Sequence, residues 1–258
     1  MTYGYPSQMI GDVFLLNGTV KRSKLNRQLQ TVWTARKAQY SHVAFSLGCG
    51  EFIHSDSETG VDFIFIDDLL SRYDGKWAAI RNDHLFEKAC HDYLSVRNAA
   101  MYFLSQSYSI KGYFKKVPPG DSSFCSQLVA SIFERLDIKL PGLPNKTLPV
   151  NFQELVTHPT WKDVTEEHKM AIAVTLQIPE IKEDFKQYSV LPRNSQIEIK
   201  RCVADYNAVN KCLKAGHDLD VRLGLKKGPF QKLPFKRFLE DFWDSNQPKS
   251  DDGLNKGE

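Results

Sequence analysis

The chain has 258 residues, 41% of them hydrophobic and 25% charged, which are ordinary values for a folded globular protein long enough to bury a sizeable core. Lysine and arginine exceed aspartate and glutamate by only three, so no global field argues for a nucleic-acid partner. The first residues lack the basic region and apolar run of a secretory signal, and no stretch approaches the roughly 20 apolar residues of a bilayer-crossing helix. The expectation is a protein that is cytoplasmic at synthesis, with no integral membrane segment.

Cys49, Cys90, Cys125, Cys202 and Cys212 form no CxxC pair and no cluster at zinc spacing. Free thiols are therefore expected, with no metal and no other cofactor.

Gly11-Asp12 leads into Val13, Phe14, Leu15 and Leu16, a buried strand closed by the turn Asn17-Gly18. A basic connection and a helix follow. Residues Tyr40 to Val61 read as a hairpin with Gly48 and Gly50 at its turn, and Val61 to Ile66 and Trp77 to Ile80 supply further strands. A long helical pattern runs from about His84 to Ser107. After a loop rich in Pro, Gly and Ser, the residues Cys125, Leu128, Val129, Ile132, Phe133 and Leu136 line one face of a helix. Pro141, Pro144 and Pro149 then break the chain. The predicted organisation is α+β, with a core at residues 1–150, a mixed extension at 151–243 and a disordered tail at 244–258. Basic residues in the extension, such as Lys226 and Lys227, are balanced by Glu240 and Asp241 and read as a solvated surface.

One constellation carries chemistry. His42 and His54 flank the hairpin turn; were the hairpin centred on Gly48, they would stand directly opposite each other on one face of the sheet. A slip of one residue would separate them. Cys125 follows Asp121, Ser122 and Ser123, which are good helix N-caps, so it is expected in a first helical turn. There the positive end of the helix dipole would lower its pKa, and free backbone N–H groups could receive an oxyanion. A buried core cysteine is the alternative. Joined, the residues make Cys125 a nucleophile, His42 its base and His54 the group that orients His42. Tyr108 and Tyr113 could bring a phenol to the site, although packing explains both. Asp56 and Glu51 are alternative orienting carboxylates, but Glu51 has the wrong parity to share the face of His42.

Gly11-Asp12, SHVAFSLGCGEFIH with Gly60-Val61, and FCSQLVASIFERL together resemble the circularly permuted branch of the NlpC-type papain-like hydrolases, in particular its YiiX-like group. The resemblance covers about residues 10 to 155 and implies a permuted papain-like fold, an antiparallel sheet or partial barrel packed against helices. It also implies Cys125 as nucleophile and His42 as base. YiiX-like proteins often use a carboxylate as the third residue and have Glu where this chain has Gln127. The paired histidines are instead similar to lecithin retinol acyltransferase-like proteins.

What the resemblance implies is an amidase or peptidase acting through an acyl-enzyme on bacterial cell-wall stem peptides, as an antibacterial effector exported by a signal-independent route would. A delivery or immunity protein would then be a partner besides the peptide or acyl substrate. A thioesterase, lipid deacylase or acyltransferase is the alternative, weakened by the lack of a clear membrane-binding segment. A catalytically idle binding module is the third.

Overall fold

The structure, a computed structural model, describes residues 9–104, 106–110, 122–177, 205–225 and 228–231. Cys202, Tyr113, Asp121, Lys226, Lys227 and the tail expected at 244–258 lie outside them. Six strands form one open antiparallel sheet: β1 (Val13–Leu16), β2 (His42–Gly48), β3 (Glu51–Asp56), β4 (Gly60–Phe65), β5 (Trp77–Asn82) and β8 (Trp161–Asp163). Their spatial order is β4-β3-β2-β1-β5-β8, and the sheet does not close into a barrel. Two short strands, β6 (Ser107–Tyr108) and β7 (Ser122–Ser123), form a separate parallel pair.

Alternation of side chains gives the sheet two apolar faces. Val13, Leu15, Val43, Phe45, Leu47, Ile53, Val61 and Ile80 share one core with α3 (Asp83–His91), α4 (Tyr93–Met101), α5 (Cys125–Arg135) and α6 (Pro149–Leu155). Phe14, Leu16, Ala44, Phe52, Ile64 and Ala79 share the other with α2 (Ile66–Arg72) and α7 (Thr165–Gln177). Helix α1 (Lys21–Thr34) connects β1 to β2. All six apolar positions read from the helical pattern of α5 and its C-cap are buried.

The single helix expected from His84 to Ser107 is two. Asp92 breaks it, with a φ of −144°, and its side chain accepts a hydrogen bond from the Ser95 N–H at 2.9 Å as the N-cap of α4. The first compact unit runs from Met1 to Arg193, so the boundary expected near residue 150 falls inside it. Beyond the proline cluster, β8 pairs with β5 and α7 packs on the sheet. In the second unit, residues 205–222 are helical, and His217 donates from Nε2 to the Gly228 carbonyl at 3.0 Å.

Asp12, at the entrance to β1, pins α7 to the sheet. Its carboxylate is fully buried and takes two hydrogen bonds from Arg81 of β5, at 2.8 and 2.7 Å, and one from His168 Nε2 at 2.8 Å. Arg81 also reaches Glu167 at 2.9 Å. Removing one partner of a buried ion pair strands the other, at a cost of about 3–5 kcal/mol. Arg81→Ala is therefore expected to lower stability by that order in denaturant titration; a loss below about 1 kcal/mol, the value of a surface pair, would contradict it.

Candidate active site

The hairpin turn is tighter than expected and centred one residue later, on Cys49. Cys49 and Gly50 adopt φ values of 52° and 75°, as both central residues of a two-residue hairpin turn of type I′ must. A bulge between Ser46 and Gly48 absorbs the extra residue. The register therefore pairs His54 with Ala44 and not with His42. His42 lies two residues along β2, on the same face, so the histidines are diagonal neighbours. Their rings meet with His42 Nε2 and His54 Nδ1 3.1 Å apart.

The slip from the expected register preserves parity, which is why the pair survives. Glu51 has the opposite parity and pairs with Arg97 of α4 at 2.7 Å, away from the histidines. Asp56 accepts from the Glu58 N–H at 2.8 Å and lies 3.7 Å from Arg72; it does not orient His42.

His42 and Cys125 come from opposite faces of the sheet. His42 has the parity of Ala44 and sits beside Leu16, in the layer of α2. Cys125 opens α5 and packs with Val43 and Phe45. They meet at the end of the sheet where β1 and β3 finish and β2 begins, around a cavity of about 240 Å³ that both line. Tyr108 also lines it. The N-cap of α5 is Phe124, with no side-chain capping bond, while Ser122 and Ser123 form β7 and are not caps. Ser55 of β3 donates to the Ser123 carbonyl at 2.6 Å and ties this approach to the sheet.

Sequence reasoning missed Tyr73. It is the C-cap of α2, and its ring lies parallel to that of His42, with centroids 4.3 Å apart and planes 11° apart. Its hydroxyl donates weakly to Asp56 at 3.5 Å. Burial raises its pKa, and the nearby Cys125 and Asp56 raise it further, so it stays a neutral donor. Its only signal in the chain is a tyrosine after a short helix, which carries no chemistry by itself.

Electrostatics set the resting state. Burial pushes the Cys125 thiol up to about 11, against hydrogen bonds from the backbone N–H groups of Val43 and Ser126 that favour the thiolate. The lowered pKa expected from the helix dipole is thus overturned, because desolvation exceeds what one helix end supplies. His42 is held well below the ordinary range, chiefly by burial and then by His54 and Arg72. His54 is lowered to about 4, chiefly by burial. At neutral pH the site is a neutral thiol beside two neutral imidazoles.

Because His42 directs Nε2 to His54, its Nδ1 is the nitrogen left for another partner. The tautomer with the proton on Nε2 makes that nitrogen a base. Among the described residues no three His, Cys, Asp or Glu side chains converge to hold a metal ion, and Cys49, Cys90, Cys125 and Cys212 are free thiols.

The fold is therefore an open-sheet α+β class carrying a thiol and a histidine pair at one end of the sheet. Among solved structures the chain is similar to the metalloprotein YiiX from Escherichia coli O157:H7, with 14% identity and a TM-score of 0.41, over 62% of this chain and 89% of that one. No family model matches the chain, and no curated protein matches it.

Two outcomes test the electrostatics. An unfolded histidine titrates near 6.5, whereas folded His54 stays neutral down to about 4. The stability this contributes is complete above pH 6.5 and drains as pH falls towards 4, by up to about 3 kcal/mol at ~1.4 kcal/mol per pH unit. Denaturant titrations across that range should show the loss, and His54→Asn should reduce it, leaving the part that buried His42 contributes. For the thiol, iodoacetamide should alkylate Cys125 more slowly than exposed Cys90 at pH 7, with the Cys125 rate rising about tenfold per pH unit. A Cys125 rate already at its plateau at pH 7 would show a thiolate.

Proposed function

We propose that the protein is a cysteine-dependent acyl-transfer hydrolase that cleaves amide bonds in peptides through a thioester on Cys125. The observation that carries this reading is the shared cavity of Cys125 and His42, with His42 hydrogen-bonded at 3.1 Å to His54. His42 takes the thiol proton as the sulfur attacks the carbonyl, so the reactive thiolate forms during attack and is not stored. The imidazolium so formed keeps its hydrogen bond to His54 and returns the proton to the leaving amine. Neutral His42 then activates water against the thioester. The backbone N–H groups of Val43, Ser126 and Cys125 that reach the sulfur are the donors available to the oxyanion.

The walls favour a peptide over a fatty acyl chain. Ser41, Ser55, Asp56, Glu58 and Arg72 line the cavity, whereas an acyl-chain site is lined mainly by apolar side chains. Bacterial cell-wall stem peptides, rich in charged groups, are the substrate class that suits such walls and agrees with the permuted NlpC-type resemblance.

The purified protein should release new amine and carboxylate ends from peptidoglycan fragments, read by mass spectrometry, and leave phospholipids and acyl thioesters intact. Cys125→Ala should lose more than about 1,000-fold of that rate. Product from the lipid or thioester alone would replace the peptide reading with a lipid-directed one, and undiminished cleavage by Cys125→Ala would remove the thiol mechanism altogether.

A further inference from the structure

Helix α1 is attached by its polar side. Asn26 donates to the Ser41 carbonyl at 2.7 Å, and Gln30, fully buried, donates to the Tyr40 carbonyl at 3.1 Å. The Gln30 side-chain oxygen also accepts from the Val150 N–H at 3.0 Å. Leu25, Leu29 and Val32 fall on one outward stripe of the helix and are 55%, 38% and 77% exposed. A helix on a globular surface ordinarily has the reverse arrangement, with its apolar stripe inward.

The charge of this region is equally one-sided. Between Asp12 and Glu51 the chain has no acidic residue, while Lys21, Arg22, Lys24, Arg27, Arg36 and Lys37 all fall there, Arg36 being paired with Glu154 at 2.5 Å. Lys21 is one turn before Leu25 on the same stripe, Lys24 flanks it, and both are exposed. The helix also reaches the cavity, which Ser23 and Asn26 line together with His42 and Cys125.

We infer that α1 docks the protein on an anionic lipid surface, with Leu25, Leu29 and Val32 entering the headgroup region and the lysines meeting lipid phosphates. Apolar side chains on one face with flanking lysines are the pattern of a helix lying in a membrane interface, where lysine stems run along the apolar layer and their ammonium groups stay in water. Among the described residues no helix is long and apolar enough to cross a membrane.

This inference goes beyond the proposed reaction and is tested by binding alone. Full-length Cys125→Ala protein is floated with vesicles of phosphatidylcholine, or of phosphatidylcholine mixed with phosphatidylglycerol, at low and high salt. Binding to the anionic vesicles, weakened by salt, is expected. Leu25→Glu/Val32→Glu should weaken it by about tenfold or more. Lys21→Ser/Lys24→Ser should also weaken it while flattening the salt dependence. Thermal unfolding of each variant reports whether it folds, and the lysine variant stands alone if the glutamate one does not. The inference fails if the parent ignores anionic vesicles or binds neutral ones equally well. It fails also if the folded variants bind as the parent does, since the contact then lies elsewhere in the chain.

Discussion

The site rests on the register of one hairpin. Side chains alternate along a strand, so only an even displacement keeps two cross-strand residues on one face. The turn at Cys49-Gly50 and the bulge before it fix that displacement, and with it the meeting of His42 and His54. The remaining parts serve this contact. Tyr73 covers the His42 ring from the end of α2, and Cys125 comes to the same cavity from the start of α5. Asp12, from the strand beside β2, anchors the sheet to α7.

Burial governs the chemistry as much as geometry does. A helix end stabilises an anion by roughly 0.3–1 kcal/mol, and full desolvation of a thiolate costs more. The same desolvation keeps both imidazoles neutral. The site is thus made of neutral groups, a thiol and two imidazoles joined to each other by a hydrogen bond.

Much of this could be read in the chain. Strands β1 to β5, the α+β class and the amphipathic face of α5 follow from apolar periodicity. The histidine pair survives a wrongly centred hairpin because parity is less demanding than exact register. Other features depend on tertiary context. Asp92 divides a continuous helical pattern because its side chain can cap the next helix. Residues 161–177 join the core because Trp161–Asp163 finds a free edge at β5 and His168 finds Asp12. The thiol's raised pKa reflects how deeply α5 is packed, which no cap sequence reports. The outward stripe of α1 has a spacing that would ordinarily mean burial; its orientation is decided by amides that bond the Tyr40 and Ser41 carbonyls.

Cys125 and His42 reach their cavity from opposite sides of one sheet, and this has a consequence for how the chain matures. His42 belongs to β2 of the sheet itself, and Cys125 to the helix α5 packed on the other face. With the sheet formed and α5 undocked, the chain holds the histidine pair without the thiol. The cavity that the thiol shares with His42 is therefore completed by the docking of one helix, α5, on the sheet.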